Sequence, residues 1–374
     1  MSEKKIKVLM VVSNLRPSNG VSSYAMNYFR RLDHDSVQMD FAVYKQHDNP
    51  YDDEIKACGG RVFVLPNIRN DFINHCKACK ELLRNERYDI VHDNTMLVSY
   101  PIMHYARKSV PVRILHSHSS MLGETAKKSR RNKLFIPFLK SKSNFYVACS
   151  EVAGRAMFQN EHFDILPNVV DVNRFRYNPL IREKVRKNLN IESKKVIITV
   201  GRIVNAKNPY FALDVFDISA DKDPDIVYLW AGSGALDKPV SEYASRLKHS
   251  DRVMLLGSRN DIPDLLQAAD LFFLPSLFEG LPVTCIEAQA NGLQCIISDT
   301  ITGEIKFTDL LYYVDLNKSK NEWADLILNK LSSDCSRNDY YNEAVKSNFS
   351  DINAGSRLES YYKSLLNQQI NLSD

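Results

Sequence analysis

At 374 residues the chain is long enough for two domains of roughly 150 residues each, and its 44% hydrophobic and 25% charged residues exclude a disordered or fibrous protein. The formal net charge of +4 and pI near 8.5 fall short of a nucleic-acid binder's basic footprint, and no run approaches the ~18 apolar residues of a membrane span. The seven cysteines are scattered, and the close pair Cys76 and Cys79 has no second pair or His cluster nearby, which argues against structural zinc and for a reduced, cytoplasmic chain.

The opening MSEKKIKVLMVVSN has a short apolar run without a small-residue cleavage pattern, so it reads as a first strand rather than a signal peptide. Short apolar runs then alternate with longer amphipathic stretches to the end, the pattern of parallel sheets built from βαβ units. Strands are expected at Ile6–Val12, Met39–Tyr44, Arg61–Leu65, Asp89–His92, Val112–His116, Phe145–Cys149 and Ile165–Leu166. A second set is expected at Val196–Val200, Ile226–Ala231, Val253–Leu256, Leu271–Leu274, Cys295–Ser298 and Leu311–Val314. The stretch from Pro167 to Phe175 breaks the pattern before a charged helix at Leu180–Asn188, placing a hinge there. The domains are therefore 1–175 and 176–352. The last segment, Gly355–Gln368, has Leu358, Tyr361, Tyr362 and Leu365 at helical spacing and is long enough to cross back, so that 353–374 joins the first domain.

Charge is unevenly spread. Residues 1–175 hold 26 Lys and Arg against 18 Asp and Glu, and the remainder 23 against 27. Much of the excess lies in 126–145, where Lys127, Lys128, Arg130, Arg131, Lys133, Lys140 and Lys142 flank the apolar run 134–139 with no acid among them. Such a segment suits an anionic bilayer surface; a solvated helix packing its apolar positions on the domain would look the same.

Open α/β sheets bind ligands outside the carboxyl ends of their strands, so those loops carry the chemistry. After the first strand, Ser13 to Gly20 lacks GxGxxG, which counts against a nicotinamide or flavin cofactor; Gly20 near a helix start leaves N–H groups for an acceptor or phosphate, or is a turn glycine. After the fifth strand come His116 and His118, on one side of the strand by its period of two; a metal pair would need a third ligand, and no Cys or carboxylate cluster at ligand spacing supplies one. Gly201-Arg202 with Lys207-Asn208-Pro209 sets two cations on a strand-to-helix loop, a cradle for a diphosphate. The run Phe278-Glu279-Gly280-Leu281-Pro282 opens a helix with Glu279 in its mouth and Glu287 about one and a half turns in. Carboxylates accept hydrogen bonds from sugar and ribose hydroxyls, and the helix N–H groups suit phosphate.

These residues resemble the retaining glycosyltransferases of GT-B fold in glycosyltransferase family 4, over nearly the whole chain. The resemblance implies two Rossmann-like domains facing a central cleft, the first for acceptor and the second for a nucleotide-sugar donor. It also assigns donor contacts. Glu279 meets the donor sugar and Glu287 the ribose; Arg202 and Lys207, beside Gly201, hold the diphosphate; Gly280 and Leu281 line the helix mouth; the base rests near Ser258 and Arg259. The histidine beside the transferred sugar maps to His118, with His116 as rival. Asn19-Gly20 departs from the two adjacent glycines common in the family's opening loop, which puts that loop's contacts in doubt.

The chain is similar to the branch that builds bacterial exopolysaccharide or capsule, which implies a UDP-sugar donor. The basic first domain adds a lipid-linked saccharide acceptor and contact with the inner face of the cell membrane. No cofactor is expected, because the nucleotide sugar is a substrate. No metal is expected either: the Asp-x-Asp candidates, Asp33 to Asp35 and Asp223 to Asp225, precede strands or lie in loops, so Arg202, Lys207 and the Glu279 helix mouth must stabilise the departing diphosphate. The rival readings are a sugar-nucleotide epimerase of GT-B-like fold, acting on donor alone, and a non-catalytic sugar-nucleotide sensor.

Overall fold

The structure, a computed structural model, describes residues 4–17, 19–44, 49–123, 126–333 and 336–371. Ser18 of the opening loop, Cys335 and the last three residues of the closing segment lie outside them. The chain forms two units, Met1–Val169 with Asp351–Asp374, and Val170–Ser350. The first boundary therefore falls before the 170–175 stretch and not after Phe175. Local hydrogen bonding explains the difference: Val170 N–H donates to Phe349 O (2.8 Å), and Asn291 Nδ2 donates to Phe175 O (2.6 Å), which ties the stretch into the second unit.

In the first unit seven parallel strands run in the order β3-β2-β1-β4-β5-β6-β7. They are β1 (Ile6–Val12), β2 (Val37–Val43), β3 (Val62–Val64), β4 (Ile90–Asp93), β5 (Val112–Ser117), β6 (Phe145–Ala148) and β7 (Asp164–Ile165). β1 is apolar along nearly its whole length because helices cover a parallel sheet from both sides. The helix Gly20–Phe29 packs Tyr24, Ala25, Tyr28 and Phe29 onto it. The closing helix, Ala354–Asn371, buries Leu358, Tyr362 and Leu365 in the same core. It approaches closely where Gly355 lies against Arg31: a Cβ on Gly355 would stand 1.6 Å from Arg31 O.

The basic segment is a helix, Ala126–Lys140. Ile136 and Leu139 are buried, whereas Leu134, Phe135 and Phe138 stand 71%, 50% and 59% exposed. Part of its apolar side therefore does not pack on the domain.

The second unit has six parallel strands in the order β10-β9-β8-β11-β12-β13: β8 (Lys195–Val200), β9 (Ile226–Ala231), β10 (Val253–Gly257), β11 (Leu271–Leu274), β12 (Gln294–Ser298) and β13 (Leu311–Val314). Its core gathers Trp230, Tyr228, Phe216, Phe273 and Trp323. In both sheets the strand order turns back on itself once, between β1 and β4 and between β8 and β11, and ligands of such sheets bind at the carboxyl edge beside that point.

Candidate active site

The loops leaving β8 and β11 meet at the reversal point of the second sheet. Gly201 and Gly232, which end β8 and β9, have φ of 152° and 147°, a region side chains avoid. A Cβ on Gly232 would stand 2.0 Å from Gly201 O, so only glycine lets the two strand ends pass backbone to backbone, and Trp230 Nε1 donates to Gly201 O (2.9 Å) to hold them. The chain then turns through Asn205–Lys207, takes a left-handed residue at Asn208 and starts the helix Pro209–Lys222. Asparagine tolerates that conformation and proline is preset for a first helical position.

This path lays the Lys207 stem over Gly201, where a Cβ would meet Lys207 Cε at 3.0 Å. Lys207 Nζ donates to Glu279 Oε1 (2.5 Å), and Ser276 Oγ donates to the same oxygen (2.6 Å). The two charged side chains are only 15% and 12% exposed, and Leu277 N–H donates to Ala206 O (2.8 Å), tying the loops together. A cation and an acid 72 residues apart in sequence are thus one mostly buried unit. Arg202, on the same loop, is exposed.

Glu279, Gly280 and Leu281 precede a helix that starts at Val283 and ends at Ala290, with Pro282 before it. Glu287 is inside this helix, and burial pushes its carboxyl up to about 8 while Arg174 pulls the other way. Thr284 Oγ1 in the first turn is buried without a hydrogen-bond partner. Ser258 and Arg259 are exposed. Arg259 is engaged with Asp261 through Nε to Oδ1 (2.8 Å) and Nη2 to Oδ2 (2.5 Å). Arg174 Nη2 also donates to Asn260 O (3.5 Å). Arg174, which sequence reasoning assigned only to a hinge, therefore links the turn after β10 with the Glu287 helix; a lone cation in a Pro/Asn-rich stretch gave no signal of that.

The Asp-x-Asp candidate of the second unit lies at the other end of the sheet. Asp223 accepts from Lys195 Nζ (2.8 Å) and Asp225 from Lys194 Nζ (2.9 Å), where β8 begins. In the first unit Asp33 is a turn residue, accepting from Ser36 Oγ (2.6 Å). Among the described residues no three His, Cys, Asp or Glu side chains are grouped as metal ligands would be.

The first unit gathers a different set at the carboxyl ends of β4 and β5. His116, inside β5, and His118, just past its end, stack with ring centroids 4.0 Å apart. His116 is 1% exposed and half of a hydrogen-bonded pair with His92, Nδ1 to Nε2 at 3.0 Å, while His92 Nδ1 meets Tyr362 OH at 2.9 Å. His92 is a third histidine beside the pair, but both its nitrogens are engaged in these contacts. His118 is the more accessible; its Nε2 meets Asn94 Oδ1 at 2.8 Å, and burial pushes its pKa down to about 3. At the opening loop, Asn19 Oδ1 accepts from Val21 N–H (3.0 Å) and Ser22 N–H (3.2 Å). Those N–H groups, expected to be open beside Gly20, are already capped by Asn19.

Family models for glycosyl transferases group 1 and for Glycosyltransferase Family 4 match residues 181–347 and 18–174. A putative glycosyltransferase, EpsF of Bacillus subtilis, is 30% identical over 92% of this chain and 93% of its own length. The chain belongs to the group 1, family 4 glycosyltransferases. The transferase is also 29% identical, over 80% of each chain, to an Escherichia coli enzyme named UDP-Gal:alpha-D-GlcNAc-diphosphoundecaprenol alpha-1,3-galactosyltransferase. In fold it matches Anabaena HepE, solved with UDP and glucose, with a TM-score of 0.77 and 17% identity over 96% of this chain and 100% of that one. A sucrose-phosphate synthase from Thermosynechococcus elongatus matches at 0.80 with 16% identity, over 97% and 100%.

Proposed function

We propose that the enzyme moves a hexose or N-acetylhexosamine from a UDP-sugar to a lipid-linked saccharide, with retention at the anomeric carbon and without a metal, in cell-surface polysaccharide synthesis. The observation that carries this reading is the Lys207–Glu279 pair at the reversal point of the second sheet. Breaking the anomeric bond develops positive charge on the sugar and negative charge on the diphosphate, so a site must present both signs close together. Lys207 has three N–H donors and can keep one on Glu279 while turning others to the diphosphate, joined by Arg202 and the N–H groups at Gly280 and Leu281. Glu279 then meets sugar hydroxyls, Glu287 the ribose, and the backbone at Ser258 and Arg259 the base.

His118, neutral at physiological pH, offers a hydrogen bond but no charge. The acceptor hydroxyl attacks from the leaving-group face and passes its proton to the diphosphate oxygen. The Escherichia coli relative's diphosphoundecaprenol acceptor supports a lipid-linked substrate here, as does the helix Ala126–Lys140. Its exposed Leu134, Phe135 and Phe138 beside Lys127, Lys128, Arg130, Arg131 and Lys133 fit an anionic bilayer surface.

The test is transfer from a panel of UDP-sugars to polyprenyl-diphosphate saccharides in EDTA, with the product's anomeric configuration read by NMR. Transfer with retention is expected; loss of turnover in EDTA or an inverted product would refute the respective part. Donor conversion without acceptor would instead favour an epimerase. Sedimentation with phosphatidylglycerol vesicles should fall at least about tenfold in a Phe135→Asp/Phe138→Asp variant, and unchanged binding would remove the membrane contact.

A further inference from the structure

Asn94 follows β4 and is buried at 7% exposure. Its Nδ2 points at acceptors that have no proton to give: the carbonyl oxygens of Val11 (3.3 Å) and His92 (3.2 Å), and Met10 Sδ (2.9 Å). The amide can therefore not be turned over without setting an oxygen against two carbonyls, and its Oδ1 is left facing His118 Nε2 at 2.8 Å. An amide oxygen only accepts, so Nε2 must carry the hydrogen and Nδ1 the lone pair.

We propose that Asn94 is a positioning residue that locks His118 as the Nε2–H tautomer, so that the ring offers Nδ1 as a hydrogen-bond acceptor to a sugar hydroxyl. The role of the ring rests on the transferase reading; the tautomer itself does not. Asn168 is the rival partner from the other side. It would favour a hydrogen on Nδ1, but its Oδ1 and His118 Nδ1 both lack a hydrogen-bond partner, whereas the Asn94 contact is short. Stacking on His116 at 4.0 Å and packing on the Tyr24 ring at 4.8 Å hold the imidazole plane, so the tautomer decides what the buried, unpartnered Nδ1 presents. A bare Nδ1 accepts from a hydroxyl; a protonated one would face the hydroxyl oxygen and reverse the bond.

The test is a long-range proton–nitrogen correlation spectrum of the intact protein, labelled with nitrogen-15 histidine and without substrate, with His118 assigned by the signal missing in His118→Gln. A neutral ring with the hydrogen on Nε2 is expected; a hydrogen on Nδ1, or a charged ring at pH 7, overturns the proposal. In Asn94→Leu the pure tautomer should be lost and kcat should fall about tenfold while KM for the donor stays within about twofold. An unchanged kcat with an altered tautomer also overturns it. If Asn94→Leu does not fold, the spectrum of the unaltered protein decides alone. If no donor supports transfer at all, the function fails while the tautomer result stands.

Discussion

Replacing Lys207 by methionine removes a charge while keeping most of the stem that lies over Gly201. What remains is Glu279, 12% exposed, with its Oε1 still taking the Ser276 hydroxyl but without the ammonium at 2.5 Å. Removing one partner of a mostly buried pair costs about 3 kcal/mol, because the other charge is stranded in low dielectric. The double variant Lys207→Met/Glu279→Gln strands no charge, and a glutamine oxygen still accepts from Ser276, so stability should return to within about 1 kcal/mol of the parent. UDP binding should behave differently: the diphosphate loses its lysine in both variants, and Kd should rise at least about tenfold, or 1.4 kcal/mol, in each. Urea unfolding of the second unit and calorimetric titration with UDP separate the two effects. If the single variant is as stable as the parent, the pair is not a buried electrostatic unit; if the double variant binds UDP normally, Lys207 does not hold the diphosphate.

With its carboxyl pushed up to about 8, Glu287 is mostly protonated at pH 7. Accepting ribose hydroxyls would favour the carboxylate, so UDP binding should release most of a proton, read from titrations in buffers of different ionisation enthalpy, and Glu287→Gln should abolish the release. The buried imidazoles of His92 and His118, both lowered to about 3 by burial, bind protons less readily folded than unfolded. Their stability contribution is therefore present above the ordinary pKa of about 6.5 and is lost as pH falls from there toward 3. At pH 5 one such histidine costs the first unit about 2 kcal/mol. Unfolding of that unit at pH 7 and pH 5 checks this, and equal stabilities would show that the imidazoles are not held neutral. Gly355→Ala should destabilise the same unit by about 2 kcal/mol, because its methyl would overlap Arg31 O; an unchanged urea midpoint would mean that the closing helix does not seat there.

The central strands were legible because a strand covered on both faces is apolar along most of its length; Ile6–Val12, Ile226–Ala231, Leu271–Leu274 and Leu311–Val314 have the same ends in sequence and structure. The loops with chemistry were legible for a related reason, since a parallel sheet puts ligand contacts just after its strands. The cap at Asn19 is legible as an asparagine directly before a helix. Arg174, Asn94 and His92 left no such mark. Their roles come from neighbours far along the chain, His118 lying 24 residues from Asn94 and Tyr362 270 from His92.

The sequence by itself determined two parallel sheets, the loops at their carboxyl edges and the residue types those loops display, because apolar periodicity and turn chemistry act over a few residues. Only the tertiary structure decided that Lys207 rests on Glu279, that burial raises the Glu287 carboxyl, and that His118 leans on Asn94. Those properties depend on burial and on hydrogen-bond partners delivered by crossover connections, and neither is written in any local pattern.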